Sequence, residues 1–316
     1  MNRLCLEING VCLIIEGEGL ERLRSSYDTT FARRYIPDYV IRQDGCMGWI
    51  GAEIKWSWVE EGFKLVLAKY GSGDEKDYYI VLSSLPGAYV NEAPYFFILQ
   101  VFARALARRG MIVFTDAVSF MLPNGKAVLL LGYPHTGKST LTAIAASKGY
   151  MPLSTENTLI KIDKGVRIVG GTSVLVYDPV IKDLYNVILP AHEKTRHGYI
   201  VVDLNKLYPE RLSLIGKGIE VQSIYVLHCS FHSVGADDKL IKGRKIKKTL
   251  WYFTTSLIKG MDYYDPSPLD LPFGGEVAEN ITRLLAEFSK NCSGRIYEIF
   301  GRHDEVFKRI VEKENV

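Results

Sequence analysis

The first ninety residues are short apolar stretches punctuated by turn formers. Residues Arg3–Ile8 and 11–16 flank Asn9-Gly10, the strongest two-residue hairpin signal. That turn predicts an antiparallel hairpin with Ile8 opposite Val11, Glu7 opposite Cys12 and Cys5 opposite Ile14. Cys5 and Cys12 are then not directly opposed, which argues against a disulfide between them. Stretches 39–42, 49–59, 63–68 and 78–82 read as further strands, with turns at Glu60-Glu61-Gly62 and Gly71-Ser72-Gly73-Asp74, and 21–26 reads as a short polar helix. This part is expected to be β-rich and mostly antiparallel, with Trp49, Trp56 and Trp58 serving its packing. The period then becomes helical through Phe96, Leu99, Phe102 and Leu106. Asn91 is placed to cap that helix, Pro94 sits in its first turn, and Arg108-Arg109-Gly110 ends it. The change of period sets the expected boundary between a β-rich domain, 1–90, and a second domain, 91–316.

Beyond residue 110, strands and helices mix. Two strands (111–117 and 118–122) and a Pro123-Asn124-Gly125-Lys126 turn lead into Ala127–Leu131, an unbroken apolar run of the kind found in buried strands. Residues 132–140 follow, Gly-Tyr-Pro-His-Thr-Gly-Lys-Ser-Thr, and then a helix that stops at Gly149. Next comes a predicted hairpin, 158–162 and 166–169 about Asp163-Lys164-Gly165. Two strands end in aspartate, at Asp178 and Asp203, and 224–227 is another strand. Two amphipathic helices close the chain, 276–290 (Val277, Ile281, Leu284, Leu285, Phe288) and His303–Lys313. The fold class expected is α/β of the α+β kind, a P-loop core with a mixed sheet preceded by a β-rich part.

Residues 132–140 fit the phosphate-loop pattern G-x-x-x-x-G-K-[ST], and the strand before it and helix after it are the context that makes the pattern meaningful. Gly132 and Gly137 let the backbone wrap an anion, and Pro134, His135, Thr136 and Thr140 complete the wrap. Lys138 is expected on the β- and γ-phosphates of a nucleotide and Ser139 on Mg²⁺. The expected cofactors are therefore ATP and Mg²⁺.

The loop, the hairpin after it and the acidic spot between them resemble the HPr kinase/phosphorylase family and, more distantly, ATP-dependent phosphoenolpyruvate carboxykinases. The resemblance covers about residues 110–230. It implies an acid pair after the loop helix that binds Mg²⁺ and deprotonates the attacking hydroxyl. The matching positions here are Thr155-Glu156, so one acid is kept, as glutamate. Glu156 is thus the expected metal ligand with Ser139, and the acceptor base. The position of the family's upstream histidine falls at or near Asp116, making it the third catalytic candidate beside Lys138 and Glu156. No acid stands near 167–171, where the family has a glutamate. The function implied is a kinase moving the γ-phosphoryl group of ATP to a hydroxyl, on a protein serine or a small alcohol such as serine. The family's hexamers favour a homo-oligomer.

Other candidates compete for parts of this role. Asp178 and Asp203 each end an apolar strand as a Walker B aspartate does, which would suit an ATPase or GTPase switch. The missing second acid would suit a nucleotide-binding regulator without turnover. His192, Lys194, Arg196 and His197 crowd one loop that could grip a phosphorylated substrate. His228, Cys229 and His232 lack a fourth partner at zinc spacing. The basic run from Lys239 to Lys248 reads as a solvated face, and without interleaved aromatics it gives no sign of nucleic-acid binding.

Composition narrows the field. The chain has 316 residues, 47% apolar and 24% charged, ordinary for a globular protein, and a net charge of +3 is too small to imply a nucleic-acid partner. No apolar run approaches a membrane span and residues 1–7 lack a signal-peptide layout, so the expected compartment is the cytoplasm. The five cysteines (Cys5, Cys12, Cys46, Cys229 and Cys292) form no C-x-x-C pair and read as buried thiols.

Overall fold

The computed structural model describes residues 3–42, 45–88, 90–259, 271 and 275–314. It is a mixed α/β structure of the α+β type, with several sheets of mixed strand direction. The chain divides into two compact units, 1–113 with 254–284, and 114–253 with 285–316. The sequence pattern placed the divide at residue 91; the units part after Val113, so the helix that opens at residue 93 belongs with the β-rich part.

Unit 1 contains β1 (Arg3–Ile8), β2 (Val11–Gly17), α1 (Leu20–Tyr27), α2 (Ala32–Tyr35), β3 (Val40–Arg42), β4 (Trp49–Trp58), β5 (Phe63–Lys69), β6 (Asp77–Ser83) and α3 (Ala93–Arg108). Its sheet runs β3-β1-β2-β4-β6-β5. The β1–β2 hairpin has the register its Asn9-Gly10 turn predicts, with Cys5 opposite Ile14 and Glu7 opposite Cys12. The expectation of mostly antiparallel pairing fails at the centre, where β4 lies parallel to both β2 and β6. Between β2 and β4 the helices α1 and α2 supply the long crossover that parallel pairing needs. Between β4 and β6 the chain passes through β5, which pairs outside β6, so the turn at Gly62 closes no hairpin. Of the tryptophans, Trp56 is buried and Trp58 is exposed. Asn91 does not cap α3; its amide donates to Ser84 Oγ at 2.8 Å. Pro94 does occupy the first turn. Across α3 the chain comes so close to β4 that a Cβ at Gly51 would lie 2.5 Å from the Ala105 Cβ. Asp77 anchors α3 through Arg104 (3.1 Å) and Arg108 (3.5 Å), all three buried.

The cysteine expectation is corrected here. Cys5 and Cys46 form a disulfide, with Cα atoms 5.9 Å apart. Cys12, Cys229 and Cys292 are buried thiols. The pairing was hidden because Cys46 lies in an irregular stretch whose path no periodicity reveals. Backbone contacts bring it to the hairpin: Trp49 N donates to Gly10 O at 2.9 Å.

β7 (Met111–Phe114) carries the chain into unit 2, from which residues 254–284 return to unit 1. There follow β8 (Ala117–Met121), β9 (Ala127–Leu131), α4 (Lys138–Ser147), β10 (Pro152–Ser154), β11 (Thr158–Ile162), β12 (Val166–Gly171), β13 (Val174–Tyr177), α5 (Val180–Tyr185), β14 (Glu193–Lys194), β15 (Ile200–Asp203), α6 (Leu204–Leu207), α7 (Arg211–Lys217), β16 (Ile219–Cys229), β17 (Ala236–Leu240), α8 (Arg244–Thr255), α9 (Glu276–Asn291), β18 (Ile296–Gly301) and α10 (His303–Lys313). In the main sheet β10, β8, β9, β16, β12 and β11 follow one another. β9, β16 and β18 run parallel, and β8 is antiparallel to both β9 and β10. The carboxyl ends of β9, β10, β16 and β18 and the amino end of β8 therefore lie along one edge. The β11–β12 hairpin forms as its turn predicts. β13, β15 and β14 make a separate antiparallel sheet. Val118, Phe120, Val128 and Leu130 of the sheet, Leu141 and Ile144 of α4, and Val306 and Ile310 of α10 share one buried core. Among the described residues no helix is long and apolar enough to cross a membrane.

Candidate functional site

The site is built at that common edge. β9 is fully buried and delivers the chain to Gly132. Sterics force both motif glycines. A Cβ at Gly132 would meet Thr136 Oγ1 at 2.3 Å and Lys138 Cγ at 3.1 Å. At Gly137 φ is +95°, and a Cβ would meet His303 Nε2 at 2.5 Å and the Cys229 Cβ at 2.9 Å. His135 is also left-handed, with φ +63°. Left-handed residues placed among successive amides give a backbone its anion-binding concavity. Thr136 Oγ1 donates to Tyr133 O (2.7 Å) and Cys229 N donates to Thr136 O (3.2 Å), tying the loop to itself and to β16. α4 starts at Lys138 with no side chain capping it and no acid in its first turn. Its amino end thus suits an anion.

Lys138 is buried inside the loop. Its Nζ donates to Gly132 O (2.6 Å) and Tyr133 O (3.1 Å) and pairs with Asp116 Oδ1 (2.8 Å). An ammonium has three donors, and these three acceptors account for them. Asp116 sits at the turn between β7 and β8 with φ +51°, a conformation aspartate tolerates better than most residues. Its carbonyl accepts from Gly132 N at 3.1 Å. The structure therefore brings Asp116 and Lys138 together as an ion pair, with both side chains about nine-tenths buried.

Glu156 follows β10 at the same edge, one strand beyond β8. Its carbonyl accepts from Ala117 N, the neighbour of Asp116, at 2.9 Å. Thr172 Oγ1 accepts from Glu156 N (2.8 Å) and Asn157 N (3.1 Å). Thr155 is buried, and its hydroxyl donates to Val174 O at 2.9 Å. Arg211, fully buried, donates to Leu153 O (3.1 Å) and Gly171 O (2.9 Å), so the end of β10 is held by the two strands and α7 around it.

The competing acids lie elsewhere. Asp178 is exposed and accepts from Val180 N at 2.9 Å, a local turn bond. Asp203 is buried on β15, outside the main sheet, and caps α6 by accepting from Asn205 N at 3.1 Å. Neither strand neighbours β9, which is flanked by β8 and β16. Lys194, Arg196 and His197 are exposed. His192 Nδ1 accepts from Asp203 N at 3.1 Å. Burial pushes the Cys229 thiol up to about 12, so it is no nucleophile near neutrality. The run from Lys239 to Lys248 reaches from β17 into α8, where Tyr252 and Phe253 pack on the loop residue Tyr133, ring centroids 4.9 and 5.2 Å apart.

Sequence reasoning missed His303. It opens α10 just past the end of β18 and lies against Gly137. Its Nδ1 is 3.0 Å from Tyr185 Oη, and Phe231 packs on its ring. Burial lowers its pKa from the ordinary imidazole value to about 4, so at neutral pH it is uncharged. Nothing local flags it, because its partners lie far away in the chain. No protein-family model matches the chain, and no curated protein matches its sequence.

Proposed function

We propose that this chain is an ATP- and Mg²⁺-dependent kinase of HPr-kinase-like type, moving a phosphoryl group to the hydroxyl of a protein serine or a small alcohol in the cytoplasm. One observation carries the reading: the glycine loop, its lysine, Asp116 and the Glu156 backbone meet at a single sheet edge, where the loop has no room for side chains at its two glycines. Crevices at the carboxyl ends of strands are where open α/β sheets take ligands.

The residues fit such a ligand. The amides of 132–140 and the start of α4 would hold the phosphates, and Ser139 with Glu156 would hold the metal. ATP would supply the transferable group and Mg²⁺ would neutralise its charge. Lys138 would exchange carbonyl partners in the loop for phosphate oxygens while Asp116 holds its ammonium in place. Glu156, on a backbone clamped by Thr172, would orient the acceptor hydroxyl or take its proton. The engaged carboxylates of Asp178 and Asp203 weigh against a switch in which either holds the metal. A regulator without turnover has one observation in its favour: Thr155 stands where the resemblance implies a second acid, and its hydroxyl is taken up by β13.

The test supplies γ-labelled ATP and Mg²⁺ with a panel of small alcohols and a protein extract, following ADP and labelled product separately. The reading expects label on one acceptor class, abolished by Lys138→Ala and reduced at least about a hundredfold by Glu156→Gln. ADP release that no acceptor accelerates would overturn it.

A further inference from the structure

Unit 1 carries a group of reactive side chains of its own. The β1–β2 register puts Cys5, Glu7, Cys12 and Ile14 on one face of the hairpin, since alternate residues share a face and Cys5 opposes Ile14 while Glu7 opposes Cys12. Cys46, which precedes β4, joins that face through its disulfide to Cys5. The sulfurs of Cys5, Cys12 and Cys46 all lie within 4.8 Å of one another. A disulfide engages two of them and leaves Cys12 as a thiol with no accessible surface. Cys12 has the Glu7 carboxylate beside it, and the amides of Met47 and Gly48 approach its sulfur. Glu7 is held by Arg42 through Nε at 2.9 Å.

Contacts besides the disulfide hold the Cys46 segment at the hairpin. Trp49 N donates to Gly10 O, and a Cβ at Gly48 would lie 2.1 Å from the same carbonyl, so the segment carrying Cys46 is pinned to the hairpin turn by close backbone approach. When the disulfide opens, Cys5 and Cys12 stay on their paired strands and Cys46 on the segment held beside them through Gly48 and Trp49.

We propose that Cys5, Cys12 and Cys46 form a redox-gated site for a thiophilic divalent cation such as Zn²⁺, with the Glu7 carboxylate, which neighbours Cys12 and is held by Arg42, swinging in as the fourth ligand. Tetrahedral zinc with bonds of about 2.3 Å needs sulfurs about 3.8 Å apart, a spacing the cluster reaches with small side-chain movements. A dithiol reductant opens the site: its two thiols are oxidised to a disulfide as the Cys5–Cys46 bond is reduced to two thiols. Metal binding then displaces three protons, one from each cysteine. In the oxidised form two of the ligands are bonded to each other and the site is closed. An ordinary structural disulfide would need neither the third cysteine nor the carboxylate beside it.

The test uses the full chain, reduced with dithiothreitol, desalted without oxygen and titrated with Co²⁺. One equivalent should bind with the intense near-ultraviolet absorption of thiolate-to-cobalt charge transfer and should be displaced by Zn²⁺. The oxidised protein should show no such band. Cys12→Ser should weaken binding at least about a hundredfold and Glu7→Gln about tenfold, while Cys292→Ser leaves it unchanged. Cys46→Ala, in the irregular segment, provides the same test should Cys12→Ser fold poorly. Reduced protein without the band, or a band that survives both cysteine changes, overturns the proposal; an unchanged affinity in Glu7→Gln removes Glu7 from the ligand set.

Discussion

Lys138 and Asp116 form a buried pair whose parts do not separate cheaply. Removing one partner of such a pair leaves the other charged and poorly solvated, which costs about 3–5 kcal/mol. Lys138→Ala should therefore lower stability as well as abolish nucleotide binding, because the buried Asp116 carboxyl is left without its partner. Asp116→Asn removes that carboxyl, so the double variant should recover at least about 2 kcal/mol of what Lys138→Ala loses. Urea unfolding of the four proteins of the cycle measures this. Additive effects of the two changes would mean that the pair is not the unit described. Asp116 was legible before any coordinates only through its place upstream of the loop; the ion pair was not, because it depends on how β8 and β9 pair. Cys46 was illegible for a related reason, since its partner is chosen by the path of an irregular segment.

Among the elements, the glycine loop is shaped from both ends. β9 and the start of α4 give it direction, while β16 and the start of α10 press on its outer side at Cys229 and His303. Gly137→Ala should accordingly damage the loop twice, by strain at φ +95° and by collision with the imidazole. The expected cost is about 2–4 kcal/mol together with loss of nucleotide binding. Adding His303→Ala should return only the imidazole's share of the collision, since the Cys229 Cβ stays 2.9 Å from the added Cβ, so nucleotide binding stays impaired. Full recovery in the double variant would show that backbone conformation plays no part. The elements nearest the loop were readable from local patterns: the apolar run of β9, the glycine stop of α4 and the turn of the β11–β12 hairpin. β18, α7 and the parallel placement of β4 were not, because pairing partners and direction are set by packing between distant segments.

For the molecule as a whole, charge and titration set the range of conditions in which the fold holds. His303 binds a proton near pH 6.5 when unfolded but only near pH 4 when folded. Its contribution to stability is therefore complete above pH 6.5 and declines as the pH falls through that window, by on the order of 2 kcal/mol. Asp238, beside Lys313 and Arg309, and Asp304, beside Arg302, are held below the ordinary carboxylate range, so their contribution is lost only at lower pH, as they take up protons. Urea midpoints measured from pH 8 to pH 4 should fall below pH 6.5, and His303→Asn should flatten that first decline. A midpoint independent of pH down to 4.5 in the parent protein would contradict the buried neutral imidazole.

Calorimetric titration of the protein with ATP in the presence of Mg²⁺ asks whether residues 132–140 hold a nucleoside triphosphate through Lys138. The account predicts one site per chain, lost in Lys138→Ala and weakened at least about tenfold without Mg²⁺ or in Ser139→Ala. Absence of binding in the parent protein, or equal affinity in Lys138→Ala, would contradict it.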